Sequence, residues 1–142
     1  DTGFKSQFIY DEFYPDPYYD NTVAAVNDCI KCILQKQPME WLPYLRKENL
    51  QLNNQSSLTE EEFKKLVNRF KAAYDEFEII ELNDTSCTVD GNKSRVTGTY
   101  EVNAVLSAET LVLSGKWYVD FERDEDLGYW YICSVAIDGI NF

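Results

Sequence analysis

The strongest hydrophobic pattern in the chain runs from Ser57 to Phe77 and predicts an amphipathic helix. Thr59 stands where a helix N-cap is expected, and Glu62, three residues later, completes the pattern of a capping box, in which each side chain accepts the other residue's backbone N–H. The apolar residues that follow recur at helical spacing: Phe63, Leu66, Val67, Phe70, Ala73, Tyr74 and Phe77. A helix with such a stripe needs a second element to cover it.

An earlier helix is predicted to begin at Asp20, Asn21 or Thr22 and to end before Pro38, because proline cannot continue a helix. Its inward stripe consists of Val23, Val26, Ile30, Ile33 and Leu34. Pro38 is expected to open a second, short helix over about Met39 to Leu45. The polar sequence from 46 to 56 is then predicted to form a loop.

After Phe77 the pattern changes to an alternation of apolar and polar residues, which predicts β-strands. Four strands are expected, at 78–89, 94–106, 110–122 and 129–137, and Asp90-Gly91-Asn92 is typical of a hairpin turn between the first two. The positions expected to face inward on the last three strands are Val96, Gly98, Tyr100, Val102, Ala104, Leu111, Leu113, Trp117, Val119, Phe121, Trp130, Ile132 and Ser134. The opposite face, which includes Glu101, Tyr118 and Asp120, is expected to be wet.

The order of elements predicts an α+β domain with three N-terminal helices packed on an antiparallel sheet of about four strands. Three segments in this order make the chain resemble the nuclear transport factor 2-like superfamily over about residues 20 to 138, with no subfamily identified: Trp41-Leu42-Pro43-Tyr44-Leu45, Leu58-Thr59-Glu60-Glu61-Glu62-Phe63 and Gly128-Tyr129-Trp130-Tyr131-Ile132-Cys133-Ser134-Val135. The resemblance implies that the sheet is strongly curved and wraps round the helices into an open cone. Because members include isomerases, dehydratases, cyclases, transport adaptors and immunity proteins, it implies a shape without an activity.

The chain of 142 residues fits one domain, which we place at residues 20 to 142. Residues 1 to 19 form a separate arm that is rich in aromatic and acidic residues and interrupted by Pro15 and Pro17. The arm is expected to extend across the domain and close part of its core. The alternatives are that it lines or plugs a ligand pocket, or that it docks on a partner.

Charge and composition exclude several classes of function. Thirteen basic and twenty-five acidic residues give a net charge of −12, which disfavours nucleic acid and anionic membrane surfaces as partners. No apolar run approaches the roughly 18 residues that span a bilayer, so no membrane insertion is expected. The chain contains no histidine, which excludes Ser-His-Asp and Cys-His nucleophilic sites and HExxH zinc sites.

No metal or cofactor is expected. Cys29 and Cys32 lie three residues apart in the middle of a predicted helix and are interpreted as packed, reduced thiols, with disulfides or a metal site as alternatives. The acidic run from Asp120 to Asp126 does not fit a calcium-binding EF-hand loop, because Glu125 stands where glycine is required. A solvated turn is the simpler interpretation of this run.

The candidate ligand-pocket residues are the aromatic and polar side chains expected to point into the cone: Asn27, Tyr74, Tyr100, Trp117 and Trp130. Tyr100, Tyr74 and Asn27 could orient a ligand, although each is also typical of a hydrogen-bonded polar group in a core. No catalytic residue is assigned. In the isomerases that the fold resembles, an Asp or Tyr projects into the cone, and the inward strand positions here are almost entirely apolar.

Three functional hypotheses follow. The first is a non-catalytic binding or protein-interaction module, as the soluble part of an extracytoplasmic protein, with an apolar small molecule or a protein as its partner. The second is an isomerase-like or cyclase-like enzyme that acts on a hydrophobic substrate in the cone, and the third is an acidic, immunity-like inhibitor of a basic partner protein. A homodimer could form through the outer sheet face, which carries Val105, Val112, Tyr118, Tyr129 and Tyr131. The compartment stays open, with an extracytoplasmic location favoured because the chain begins with Asp1 rather than Met.

Overall fold

The computed structural model of the protein describes residues 22–37 and 42–142. Within these residues the chain forms two helices and six strands, in the order α1 (Thr22–Leu34), β1 (Leu50–Leu52), β2 (Gln55–Leu58), α2 (Glu60–Ala72), β3 (Glu76–Asp90), β4 (Lys93–Leu106), β5 (Glu109–Arg123) and β6 (Trp130–Ile137). The predicted N-terminal arm and the first half of the predicted short helix, which includes Trp41, lie outside the described residues.

The six strands form one sheet in the order β2-β1-β6-β5-β4-β3. All neighbouring pairs are antiparallel except β1 and β6, which run parallel. The expected α+β class is therefore confirmed, and each of the four predicted strands is present within two residues of its predicted bounds. β2 and β3 are the edge strands of this sheet.

The predicted number of elements was wrong in two places. The segment predicted as a loop contains β1 and β2, because a three-residue and a four-residue strand are too short to show an alternating pattern. Residues 42–45, predicted as the end of a short helix, are not helical and lie alongside β6. The Arg46 N–H donates to the Ile132 carbonyl, and the Ile132 N–H donates to the Tyr44 carbonyl, both at 2.9 Å.

Helix α2 begins as its sequence predicts. The Glu62 N–H donates to Thr59 Oγ1 at 3.1 Å, and the Thr59 N–H donates to Glu62 Oε1 at 2.9 Å, so the capping box is complete. The helix ends at Ala72 rather than continuing to Phe77, because β3 starts at Glu76. The helical spacing of Tyr74 and Phe77 therefore does not reflect helical structure.

The inner face of the sheet packs against both helices and forms the core. All five predicted inward positions of β4 are buried, and so are Trp117, Val119 and Phe121 of β5. Leu111 was predicted inward but is 45% exposed. β6 ends at Ile137 opposite Trp117, so in the described residues the first half of β5 has no strand on its other side and Leu111 stays open to solvent.

Ser134 was also assigned to the wrong face. An irregularity in the pairing of β5 with β6, between Asp120 and Phe121, inserts an extra residue into β6 and reverses the alternation beyond it. Ser134 is therefore the neighbour of Asp120 on the outer face, and Val135 takes the inward position opposite Val119.

The four cysteines are free thiols, and Cys29 and Cys32 are completely buried in the core. Burial raises the pKa of the Cys29 thiol far above its ordinary value, and the neighbouring Cys32 adds to the effect. A thiol that stays protonated is a poor nucleophile and metal ligand. Neither described helix is long and apolar enough to cross a membrane.

Candidate functional site

Tyr100, in the middle of β4, is the polar inward residue nearest to the centre of the inner face. Its side chain is buried, and its hydroxyl donates a hydrogen bond of 2.5 Å to the backbone carbonyl of Asp138. Burial raises the pKa of Tyr100 to about 12, with a smaller contribution from the Asp138 carboxylate. The hydroxyl is therefore protonated at neutral pH and engaged by the chain itself.

Trp117 lies on β5 directly opposite Gly98 of β4. Its indole N–H donates to the Thr99 carbonyl at 3.1 Å, and its ring lies against the β4 backbone. A Cβ atom added to Gly98 would stand 2.0 Å from the Asn83 carbonyl oxygen and 2.2 Å from Trp117 Cζ2. Only glycine fits between these two groups, so Trp117 packs as a core residue over Gly98.

The C-terminal tail, residues 138–142, follows β6 and is held near Tyr100 by Asn53. The Asn53 side chain accepts the Ile137 N–H at 2.7 Å and donates to the carbonyls of Ile137 at 3.2 Å and Ile140 at 2.7 Å. Asn53 has a left-handed backbone with φ of 52°, in the turn between β1 and β2, a conformation that asparagine tolerates better than most residues. Ile140 is buried in the core, so the tail contributes to the packing of the inner face.

Tyr74 belongs to a cluster of four aromatic rings at the end of α2. The Phe70 ring centroid lies 5.6 Å from that of Tyr74, 5.5 Å from that of Phe77 and 5.4 Å from that of Phe142, the last residue of the tail. Tyr74, Phe77 and Phe142 are half-buried. The cluster thus joins the tail to the helix by edge and tilted ring contacts.

Trp130 lies far from Trp117 along the sheet. Trp130 is opposite Arg123 at the start of β6, whereas Ile137 at the end of that strand is opposite Trp117, a separation of roughly 23 Å along the strand. Asn27 is a half-buried residue of α1. The structure therefore brings Tyr100 and Trp117 onto adjacent strands but does not bring all five candidate residues into one site.

The outer face, which was predicted to be wet and to offer a possible dimer contact, carries a groove of about 390 Å³. Arg95 and Asp120, on adjacent strands, form a bidentate ion pair with distances of 2.6 and 2.9 Å, and the Arg95 guanidinium lies 4.0 Å from the Tyr118 ring centroid. The signal for this pair was present in the sequence, because both residues occupy outward positions of neighbouring predicted strands.

A second set of contacts borders the same groove. Glu122 accepts a hydrogen bond from the Tyr131 hydroxyl at 3.2 Å and forms an ion pair with Arg46 at 3.5 Å. Burial of the Tyr131 side chain raises its pKa, and the neighbouring Glu122 carboxylate adds to the increase. The groove is therefore lined by three acids and three bases, most of which pair with each other, so that its formal charges balance.

Asp84 is an inward-register carboxylate that the sequence analysis missed. Asp84 lies opposite Gly98 of β4. The preceding inward pair on these two strands is Leu82 opposite Tyr100. The Asp84 side chain is exposed at the edge of the sheet, and partial desolvation there raises its pKa. An irregularity between Asp84 and Ser86 shifts the register beyond this point, so the alternation in the sequence could not locate it.

No protein-family model matches this sequence, and no curated protein does. Solved structures match it over most of its length. A candidate dehydratase of the nuclear transport factor 2-like family from Streptomyces avermitilis has 13% identity and a TM-score of 0.67, covering 85% of this chain and 94% of that chain. A nuclear transport factor 2-like superfamily protein from Salmonella enterica has 12% identity and a TM-score of 0.63, covering 84% and 88%.

A candidate ketosteroid isomerase from Shewanella frigidimarina has 13% identity and a TM-score of 0.65, covering 80% of this chain and 90% of that chain. Likeness at this level of identity establishes the fold and leaves the activity open. The protein has the nuclear transport factor 2-like fold, and the resemblance seen in the sequence is confirmed at that level.

Proposed function

We propose that this chain is a non-catalytic binding module whose partner docks on the outside of the sheet. The observation that carries the proposal is the hydrogen bond from the Tyr100 hydroxyl to the Asp138 backbone. A tyrosine that oriented a ligand inside the cone would direct its hydroxyl toward the ligand. Here the hydroxyl is used to hold the chain's own tail, and Trp117 and Ile140 pack in the same core.

The interior also lacks a convergent set of acid and base groups among the described residues. General acid–base catalysis needs a titratable group within hydrogen-bond reach of the reacting atom. Of the inward strand positions, Tyr100 is committed to Asp138 and Asp84 is exposed at the sheet edge. This arrangement supports binding over catalysis for this chain.

Asp84 supports a second candidate function, an isomerase-like enzyme of the kind that the candidate ketosteroid isomerase exemplifies. A carboxylate with a raised pKa is suited to act as a general base near neutral pH, and Asp84 lies in the inward register one pair from Tyr100. For this function the tail would have to release the Tyr100 hydroxyl when the substrate enters.

Native mass spectrometry of the purified chain, beside a denatured spectrum that gives the covalent mass, tests the first proposal. We expect a native mass equal to that of the chain, or to a whole multiple of it, without a retained small molecule. A retained apolar molecule that is lost in Tyr100→Phe and kept in Tyr118→Phe, the matched tyrosine of the outer face, would overturn the proposal and place the ligand in the cone.

A homodimer through the outer sheet face remains a prediction. Val112 of that face is 62% exposed, and the other four residues proposed for the contact are half-buried. Sedimentation equilibrium of the wild type and Val112→Glu tests it: we expect the substitution to weaken a dimer formed through this face, because it places a charge in the contact. A dimer of unchanged affinity would exclude this face.

A further inference from the structure

The edge of the sheet formed by β3 is long and open. β3 has 15 residues, and its last eight, Asn83–Asp90, are all exposed. In an antiparallel strand every second residue directs its N–H and C=O away from the paired neighbour. Among the described residues no strand pairs with the free side of β3, so this row of donors and acceptors faces solvent.

The opposite edge of the sheet shows how different β3 is. β2 has only four residues and leads directly into the N-cap of α2, and Gln55 at its start donates to the Phe142 carbonyl of the tail. Short and covered edges are the usual way in which proteins prevent unwanted strand pairing. β3 is neither short nor covered in the described structure.

The charge on β3 determines which occupant fits. The strand carries five carboxylates and no basic residue: Glu76, Glu78, Glu81, Asp84 and Asp90. A second copy of the chain paired along this edge would bring carboxylates together, which is unfavourable for cross-strand neighbours. A strand rich in Lys or Arg would instead form complementary pairs, and the net charge of −12 would accelerate its approach.

We propose that the free edge of β3 binds an extended, Lys- or Arg-rich segment of a partner protein as an added β-strand. The inference rests on the proposed function only in placing the partner outside the sheet. Irregularities in the pairing with β4 interrupt β3 at Ile80 and Thr85, so the longest regular stretch available is Ser86–Asp90. Within it, Val89 is 61% exposed and offers an apolar contact beside the backbone hydrogen bonds.

Fluorescence anisotropy with three labelled ten-residue peptides tests the inference. The first peptide alternates Lys and Val, the second replaces every Lys by Glu, and the third is the Lys-Val peptide with every backbone nitrogen methylated. We expect the first peptide to bind with an affinity that falls as salt is added, and the other two to fail. Failure of the Lys-Val peptide to bind, or equal binding of the methylated peptide, would overturn strand addition.

Two matched variants distinguish the edge from general attraction to an acidic protein. Asp84→Asn with Asp90→Asn, near the two ends of the Ser86–Asp90 stretch, and Glu48→Gln with Glu61→Gln, away from it, each raise the net charge by the same amount, and all four residues are exposed. We expect the two substitutions on β3 to lower the affinity for the Lys-Val peptide about fivefold, and the two remote substitutions to lower it about twofold or less. Equal losses in the two variants would show that the attraction is not local to β3.

Residue-resolved hydrogen exchange supplies an independent measurement. With the Lys-Val peptide bound, amides of Asn83–Asp90 that point away from β4 should gain protection, while those of β6 should be unchanged. Protection that is absent from β3 would overturn the inference. If these tests fail and native mass spectrometry shows no retained molecule, only the strand-addition site is ruled out. If a small molecule is retained in the cone, the proposed function is contradicted, whether or not the peptides bind.

Discussion

The two faces of the sheet are held by different kinds of interaction. On the inner face, Trp117 packs against Gly98 with no space for a methyl group, and the Tyr100 hydroxyl is bound to the backbone of Asp138. On the outer face the contacts include ion pairs between partly exposed side chains. In the pair of Arg95 with Asp120, 51% of the Arg95 side chain is accessible to solvent.

This difference bears on where a partner can bind. Close packing makes buried positions sensitive to small changes of volume, whereas exposed ion pairs contribute about 1 kcal/mol or less. A ligand that bound to the Tyr100 hydroxyl would have to displace its hydrogen bond to the Asp138 carbonyl. A partner that docks on the outer face or the sheet edge would leave the packed core undisturbed. The residues of this chain that bind it could be substituted without loss of the fold.

Gly98→Ala should produce the largest loss of stability. The added Cβ would overlap the Asn83 carbonyl and the Trp117 ring, and overpacking of this severity costs about 3 kcal/mol or more. Gly91→Ala is the matched control, because Gly91 has a φ of 61° but no atom within 4 Å of an added Cβ, so only the backbone penalty of about 1 kcal/mol remains. Urea unfolding of both variants measures the difference. Equal losses of stability would show that the space around Gly98 can accept a methyl group.

Asn53→Ala should come next, with a loss of about 2 kcal/mol. The substitution removes three hydrogen bonds to the end of β6 and the tail and leaves alanine with a positive φ. Asn54→Ala, at the exposed neighbouring position of the same turn, should change stability by less than about 0.5 kcal/mol. Exchange of the Ile137 amide should accelerate in the first variant only, and similar behaviour of both would show that Asn53 does not hold the tail.

Tyr100→Phe should cost about 1 kcal/mol at neutral pH, because the hydrogen bond to Asp138 is lost. Its pH dependence is more specific. The pKa of Tyr100 rises from 10.0 to about 12 in the fold, so its contribution to stability is present below pH 10 and is lost as the pH rises through 12.

Wild-type protein should therefore lose stability more steeply than Tyr100→Phe over that range, as measured by urea unfolding at a series of pH values. The buried Cys133 thiol, whose pKa is also raised to about 12, contributes equally to both proteins and cancels in the comparison. Parallel curves would show that the Tyr100 hydroxyl is not engaged in the folded protein.

Local patterns in the sequence were sufficient to predict much of the fold. The capping box at Thr59, the hairpin at Gly91 and the four long strands each depend on residues close together in the chain. β1 and β2 could not be predicted because their pairing depends on distant parts of the chain: β1 pairs with β6, with Gln51 opposite Ser134, 83 residues later, and among the described strands β2 pairs only with β1. Strands this short carry too few positions for alternation to be visible.

The candidate site was less predictable for the same physical reason. The inward direction of Tyr100 follows from alternation, but its hydrogen-bond partner is a backbone carbonyl 38 residues away, and no side-chain pattern marks it. The face assigned to Ser134 was wrong because one extra residue in β6 reverses the alternation. Asp84 escaped notice because the irregularity next to it disturbs the alternation of β3 in the same way.

The smallest effect is expected for the ion pair of the outer face. Arg95→Ala and Asp120→Asn should each cost less than about 1 kcal/mol, and a double-mutant cycle should give a coupling of about 0.5 kcal/mol that declines in 1 M salt. Glu60 and Lys64, an exposed ion pair on α2, provide a control cycle with an expected coupling of about 0.3–0.5 kcal/mol.

A coupling of 2 kcal/mol or more for Arg95 and Asp120, well above the control, would remove the contrast between the two faces, because the outer face would then also hold the fold. A small coupling energy would support the contrast between the two faces. Variants of this pair would remain folded, so any change in partner binding at the outer groove would report on the contact itself rather than on unfolding.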